Sequence, residues 1–351
     1  MSSDKDHSEI KIESNSSIPK YIQVANILAD EILSGELEPG HKLPSINDLS
    51  KKHSISRDTA EKAYKDLRDR NLAFSVMGVG NFAATRDLNS KIYVLFFINK
   101  PCSYKMEVYD SFVTTLGSSS HVDMFMYYND EQLFIEAIKK NMHSYSFFVI
   151  MPHFKNNKEN HTNYTPAVLE AIENIPKDKL VILDNSCEEI SGDFTAVYQD
   201  FKLDIFNALQ QGINRIKKYE KLILVYARKA LFPAPGGLVD GFLEFCKAHQ
   251  FSFEIVDKIY DGLEFKNKEV YITIEDEDLV SLIQQIKGKK LKIGNHVGVI
   301  SYNETPLKAL LDITVLSTDF KAMGKKAGDL ILDRKREIFK NPFNYIQRTS
   351  L

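Results

Sequence analysis

Two helix caps set close together, followed by a glycine-tipped hairpin pattern, constrain this chain more than any other feature. Ser45 precedes a short run with Asp48 three residues on and Leu49 inward, a capping-box variant. After the tight connection Ser54-Ile55, Ser56 caps a second run whose Ala60, Ala63, Tyr64 and Leu67 share one helical face. Upstream, Tyr21, Val24, Ala25, Leu28 and Ile32 recur at helical spacing. That predicts an amphipathic helix over 20–33, stopped by Gly35 and followed by a Pro39-Gly40 turn. Downstream, Asn71 stands where a left-handed cap is expected. Phe74, Val76 and Phe82 then alternate around Met77-Gly78-Val79-Gly80, the pattern of a hairpin with a permissive tip.

Helix, helix, tight turn, helix and hairpin within residues 18–86 make a winged helix-turn-helix. A helix that enters the major groove puts its N-terminal residues against base edges and phosphates. The first turn of the third helix carries Ser56, Arg57 and Thr59, with Lys62 one turn on. Arginine suits bidentate contact with guanine, and hydroxyls suit phosphate or thymine. Ser45 and Asn47 start the preceding helix, and Gly78 and Gly80 let the hairpin backbone approach a groove. A mixed-charge helix face is by itself ordinary solvated surface. The capped-turn-capped order followed by the hairpin is what singles this one out. The chain carries 45 basic and 48 acidic residues, a net charge of −3. That excludes polyanion binding by the whole surface and leaves room for a local basic face.

The stretch from Ile18 to Ala84 resembles the winged helix-turn-helix of the GntR family of bacterial transcription regulators. The resemblance rests on Tyr21-Ile22-Gln23, the block Ile32 to Gly40, Leu43-Pro44-Ser45, Ser56-Arg57, Ala63-Tyr64, Leu67 and the wing Gly78-x-Gly80-x-Phe82. It implies a transcription regulator that binds double-stranded DNA as a homodimer. There are departures. Ile46 and Asn47 replace a frequent Glu-Arg pair, Glu61 replaces a basic residue, and Val79 replaces the base at the wing tip. The cationic support is thinner than the family pattern implies.

Residues 1–17 read as a disordered polar tail and 87–90 as a linker. From residue 91 to 351 the chain alternates short continuous apolar runs (IYVLFFI, SFFVIM, LVIL, KLILVY, VYITI, HVGVI) with amphipathic segments at 105–117, 131–141, 165–174, 201–218, 236–249 and 276–287. Continuous apolar strands point to parallel sheets covered on both faces, an α/β fold. The length predicts two such lobes. This region resembles the periplasmic-binding-protein-like effector domain of the LacI/GalR family. The resemblance is carried by residues 235–246 (PGGLVDGFLEFC), 293–328, and 341–351 (NPFNYIQRTSL), whose closing Arg-x-Ser implies a fold complete at Leu351.

Ligands of doubly wound sheets sit beyond the carboxyl ends of the strands. The residues just past the apolar runs are Asn99 with Tyr104, Met151 with His153, Asp184 with Asn185, Arg228 with Lys229, Glu275 with Asp276, and Asn303 with Glu304. Carboxylates, amides and an arginine beside aromatic rings make a sugar-binding set. The LacI/GalR resemblance implies polar ligand contacts at Asp184, Glu275 and Asn303. The family's usual effector-binding arginine is Leu238 here, and Arg228 is expected to take over. Strand-end acids also cap helices, and Asp200 and Asp276 read that way. The implied effector is a small molecule, a monosaccharide, and the implied role is repression of sugar utilisation.

Other classes find little support. Cys102, Cys187 and Cys246 are far apart, with no Cys/His spacing for a metal. Pro235-Gly236-Gly237 lacks the Lys-Ser/Thr of a phosphate loop. The 9 histidines show no catalytic spacing, so neither an enzyme nor a cofactor is expected. No apolar run spans a bilayer and the polar N-terminus is no signal peptide, so the expectation is a cytoplasmic protein off the membrane.

Overall fold

The computed structural model describes residues 12, 18–33, 36–38, 40–70, 72–84, 92–142, 144–228 and 230–351. The expected tail (Ile12 apart), the Gly35 stop, Pro39, the Asn71 cap, the 87–90 linker and Lys229 lie outside them. The chain divides into two compact units. One runs up to Val94 and takes in Ser119–His121 and Glu136–Ser146; the other holds Leu95–Ser118, Val122–Ile135 and Phe147–Leu351.

The first unit opens with α1 (Lys20–Leu33), α2 (Ile46–Lys52) and α3 (Arg57–Asp69), then the hairpin β1 (Ala73–Val76) and β2 (Gly80–Ala83). Its small core joins Val24, Leu28, Leu49, Tyr64, Leu67 and Leu72. Both caps form: Ser45 Oγ accepts from Asp48 N and Ser56 Oγ from Thr59 N, each at 3.1 Å. Ser54 between them takes a left-handed conformation (φ 49°). Gly78 (φ 76°) and Gly80 (φ 135°) make the hairpin tip. Phe74 and Val76 point outward, where they are 44% and 41% exposed, and Phe74 stacks on Phe82 at 5.6 Å. The inward face is instead Leu72, Ala73 and Ala83.

The second region runs β3 (Ile92–Ile98), α4 (Ser103–Leu116), β4 (Ser120–Met126), α5 (Glu131–Asn141), β5 (Phe147–Ile150), the two-residue strands β6 (Phe154–Lys155) and β7 (His161–Thr162), α6 (Pro166–Glu173), β8 (Leu180–Asp184) and β9 (Thr195–Tyr198). It continues through α7 (Phe201–Gln211), α8 (Ile213–Ile216), β10 (Lys221–Val225), α9 (Gly237–His249), β11 (Ser252–Val256), β12 (Glu269–Thr273), α10 (Asp276–Gly288), β13 (Val297–Tyr302), α11 (Pro306–Leu310) and β14 (Thr314–Thr318). It closes with α12 (Phe320–Leu332), β15 (Ile338–Lys340) and β16 (Phe343–Ile346).

Two six-stranded sheets result, ordered β15-β9-β8-β5-β3-β4 and β11-β10-β12-β13-β14-β16. Counted from its own first strand, each places the second strand outside the first and the third to fifth on the other side. That is the doubly wound order with a switch point beside its first strand. The six apolar runs are β3, β5, β8, β10, β12 and β13. The fold class is the expected α/β one, two parallel-sheet lobes plus an N-terminal helix-turn-helix. Edge strands β4 and β11 escape the apolar pattern because their exposed faces carry polar residues such as His121 and Glu254.

Two helix pairs pack at backbone distance. A Cβ on Gly241 of α9 would stand 2.1 Å from the Lys202 carbonyl oxygen and 2.5 Å from Ile205 Cγ2. One on Gly324 of α12 would stand 2.2 Å from the Val108 carbonyl oxygen of α4. Gly241→Ala must push α9 off α7, an overpacking that costs about 1–3 kcal/mol or more. Urea unfolding should show the midpoint falling with an unchanged slope; an unchanged midpoint would contradict the close packing.

Candidate functional site

Recognition needs exposed donors held on a rigid element, and α3 supplies them. Arg57 is exposed and makes no ion pair among the described residues. Lys62 is exposed but pairs with Asp58 at 2.8 Å, and that partner raises its ammonium pKa. The Ser56 and Thr59 hydroxyls bond each other at 2.7 Å while Ser56 caps the helix. Ser45 is likewise engaged, with Asp48, and Asn47 is exposed on the first turn of α2. Gly78 and Gly80 sit at the hairpin tip beside Met77 and Val79, which are 101% and 50% exposed. Arg68 ties α3 to the hairpin through Asn81 Oδ1 at 3.2 Å. At the end of the helix Arg70 is buried against Asp66 at 2.5 Å and donates to Asn26 Oδ1 at 2.7 Å.

The second site is a cavity of about 590 Å³ between the carboxyl ends of the two sheets. Asn99, Tyr104, His153 and Asp184 line it from the first lobe, Glu275 and Asn303 from the second. Six of the nine expected ligand residues therefore meet in one place. Asp184 ends β8 with φ 77° and is 1% exposed. Its Oδ2 accepts from His153 Nε2 at 2.7 Å and from the Tyr104 hydroxyl at 3.3 Å, and its Oδ1 accepts from Gln199 Nε2. Burial alone would push this carboxyl up; the His153 ring, Lys105 and the Gln199 amide together hold it below the usual range.

His153 is buried, and burial, aided by Lys105, pulls its ring down to about 4. A neutral ring then donates from Nε2 to Asp184 and accepts at Nδ1 from His161 Nε2, 3.0 Å away. His161 is itself pulled down to about 3, by burial and then by His153. Both folded values lie below that of a free imidazole. As pH falls through about 6.5 the unfolded chain takes up protons first, so stability is complete above that pH and is lost on the way down to about 4. At pH 5 the expected loss is about 2 kcal/mol for each ring. Urea midpoints at pH 7.5 and pH 5 check this, and His161→Gln should remove about half of the difference; equal midpoints would contradict it.

Three expected residues stand elsewhere. Met151 is fully buried, its side chain turned into the core. Asn185 is fully buried and donates to the Pro152 carbonyl at 2.6 Å, so it braces the His153 loop from behind. Arg228 is exposed and does not line the cavity, so the cleft position expected of it is not where it stands. The loop beyond β10 turns Phe232 to Pro235 into the cleft instead, with Leu238 behind them. Asp200 caps α7 through Leu203 N at 3.0 Å, as expected. Asp276 does not cap α10: Glu275 holds the cap position, and Asp276 pairs with Lys308 at 2.8 Å.

The cleft also holds residues that the strand-end reading passed over. Lys105, 1% exposed, donates to Asn99 Oδ1, and burial pulls its ammonium down to about 8. It is still largely charged at neutral pH. Lys308 Nζ donates to the Tyr302 carbonyl at 2.7 Å and the Asn303 carbonyl at 3.0 Å. Lys100 lies over the Phe232 ring at 4.6 Å, a contact from one lobe to the other. The buried Tyr302 hydroxyl and Asn303 Oδ1 have no hydrogen-bond partner among the described residues, and both residues belong to the cavity lining. Glu275 faces it too, its carboxyl pushed up by burial and by Glu277, against the pull of Lys100. Lys105 and Lys308 lie on the cleft-facing sides of α4 and α11. A lysine inside a helical pattern reads as solvated surface, so sequence offered no signal for them.

Residues 20–82 match the family described as bacterial regulatory proteins, gntR family. Among curated relatives, the uncharacterized HTH-type transcriptional regulator YurK of Bacillus subtilis is 35% identical over 81 residues, 23% of this chain and 34% of that protein. The mannosyl-D-glycerate transport/metabolism system repressor MngR of Escherichia coli is 31% identical over 77 residues, 22% of this chain and 32% of that protein. The chain thus spans about a third of the length of these relatives. A solved LacI family transcriptional regulator from Lactobacillus casei with bound glucose is 14% identical, with a TM-score of 0.58 over 74% of this chain and 99% of that one. That likeness is one of fold. No helix among the described residues is long and apolar enough to cross a membrane.

Proposed function

We propose that this protein is a DNA-binding transcription regulator, a repressor, whose hold on its operator is set by a small polyhydroxylated effector, a monosaccharide, bound in the cleft between the lobes. The observation that carries the effector reading is the polarity of the cleft. An ionised, fully buried Asp184 shares the cavity lining with Tyr302 and Asn303, whose buried hydroxyl and amide oxygen have no partner among the described residues. Sugar hydroxyls can donate to the carboxylate and the amide oxygen and accept from the tyrosine. The Tyr104 ring, stacked on Phe320 at 4.7 Å, offers an apolar wall for a sugar face. The DNA reading rests on the match of residues 20–82 and on the exposed Arg57, which has no ion pair among the described residues. The MngR relative is by name a repressor of a sugar-derivative system, and the Lactobacillus casei neighbour holds glucose. Both fit this reading.

A homodimer on a pseudo-palindromic site is the arrangement proposed, with half-sites about one helical turn or more apart. An effector moves that equilibrium only by preferring one lobe arrangement. A thermal-shift screen of pentoses, hexoses, deoxyhexoses and their phosphates tests the reading. A true effector at about 100 times its Kd stabilises by about 2.7 kcal/mol. A screen in which no sugar raises Tm would contradict it. Since Asn47, Glu61 and Val79 stand where cations are expected, operator affinity should fall with salt less steeply than for a fully basic wing and helix. The expected difference is about one unit of slope per missing phosphate contact. A slope as steep as that of a member with all three cations would contradict it.

A further inference from the structure

Three crossovers carry the chain between the lobes: β9 to α7 at Gln199-Asp200, β14 to α12 at Thr318-Asp319, and β15 to β16 at Asn341-Pro342. Their polar side chains are buried, with Gln199 3%, Thr318 4% and Asn341 2% exposed. Main-chain bonds tie the third crossover to the other two: Asn341 N to Tyr198 O at 2.8 Å, and Asp319 N to Pro342 O at 3.1 Å. The Asn341 amide adds a bond to Asp319 O at 2.9 Å. The first and second crossovers are joined differently, by a side-chain bond in which the Thr318 hydroxyl donates to Gln199 Oε1.

The other end of the same amide, Gln199 Nε2, donates to Asp184 Oδ1 in the cleft wall, and Gln199 N donates to Asp184 O at 2.9 Å. Chemistry fixes the direction of this chain. An ionised carboxylate only accepts, so the amide must turn its NH2 toward Asp184. Its oxygen is thereby aimed at Thr318, whose hydroxyl must donate. A buried amide held at both ends has one orientation, and losing either end leaves a buried polar group unsatisfied.

We propose that Gln199 is the positioning residue through which the occupant of the cleft is felt at the crossovers, by way of the Asp184–Gln199–Thr318 chain. This rests on the reading of the cleft as the effector site. A ligand hydroxyl that settles on Asp184 or on the cleft-lining face of Gln199 fixes the amide, and the fixed amide holds Thr318. The first and second crossovers run in opposite directions between the lobes. A change of lobe angle turns them against each other and strains this bond. A ligand that fixes the amide therefore favours the lobe arrangement in which the bond is intact, the differential affinity that a switch requires.

The test measures the distance between the lobes in the full chain. Spin labels go on Glu170→Cys and Lys247→Cys, both exposed positions, one on each lobe, in a Cys102→Ser background. The parent, diluted into unlabelled chain so that only distances within one protomer are read, should give one narrow distance distribution. Gln199→Leu and Thr318→Val should each raise the population outside that peak severalfold. The double variant should go no further than the larger single effect, and Thr318→Ser, which keeps the hydroxyl, should restore the parent distribution. A purely structural loss at two independent sites would instead add and would not be rescued by a hydroxyl alone. Variants that superimpose on the parent, or effects that add, overturn the proposal. The parent is also titrated with the pentose, hexose, deoxyhexose and sugar-phosphate panel. A parent that ignores every sugar overturns the effector reading, while the ligand-free comparison still judges the chain from Gln199 to Thr318.

Discussion

Asp184→Ala should lower effector affinity about 100-fold or more and leave the protein deaf to the sugar. The carboxylate is 1% exposed and is the buried anion on which His153, Tyr104 and Gln199 converge. Bonds to a charged group contribute about 1.5–3 kcal/mol each, and a ligand hydroxyl loses one outright. The three protein donors also lose their acceptor, so the wall that a sugar would meet is disordered as well as neutral. Asp184→Asn keeps the shape and one acceptor and should lose less. Calorimetric titration of the effector found by thermal shift measures both variants. An alanine variant that binds within about twofold of the parent would show that the cleft is read wrongly.

Arg57→Ala should be the most damaging single change on the DNA side. Arg57 is the first residue of α3, is exposed, and has no ion pair among the described residues to hold it back. A bidentate arginine–guanine contact is worth about 1–3 kcal/mol, and two half-sites on a dimer double it. The expected loss is about 2–6 kcal/mol of operator affinity. Lys62→Ala should cost less, since Lys62 is already shared with Asp58 at 2.8 Å. Fluorescence anisotropy on a selected operator distinguishes them. An Arg57→Ala loss smaller than that of Lys62→Ala would mean that another residue reads the bases.

The helix-turn-helix was legible because its signals are local. Ser45 and Ser56 announce caps within three residues, and Gly78 and Gly80 announce a tip, so nothing distant has to be known. The sheets were legible where both faces are covered, as in β8 with its run of buried Leu180 to Leu183. The cleft was legible only where its residues follow such a run directly, as Asp184 and Asn303 do. Gln199 follows β9, whose Thr195-Ala196-Val197-Tyr198 holds no continuous run of large apolar residues to register as a strand. Lys105 and Lys308 lie inside helices, and only the tertiary fold turns them inward. Arg228 shows the converse failure: it follows β10, but the loop carries it out to solvent and brings Phe232 in. Strand ends locate a cleft, while the path of each loop decides which of its residues reach it.

The central claim is that occupancy of the cleft changes the hold of α3 on DNA. The direct measurement takes the full chain, a double-stranded site selected from random sequence, and the sugar that raises Tm. Operator affinity is read by anisotropy with the effector absent and then saturating. The account predicts a shift of at least about tenfold, equivalent to about 1.4 kcal/mol of coupling, that disappears in Asp184→Ala. A sugar that binds the cleft at saturation and leaves operator affinity unchanged would contradict it.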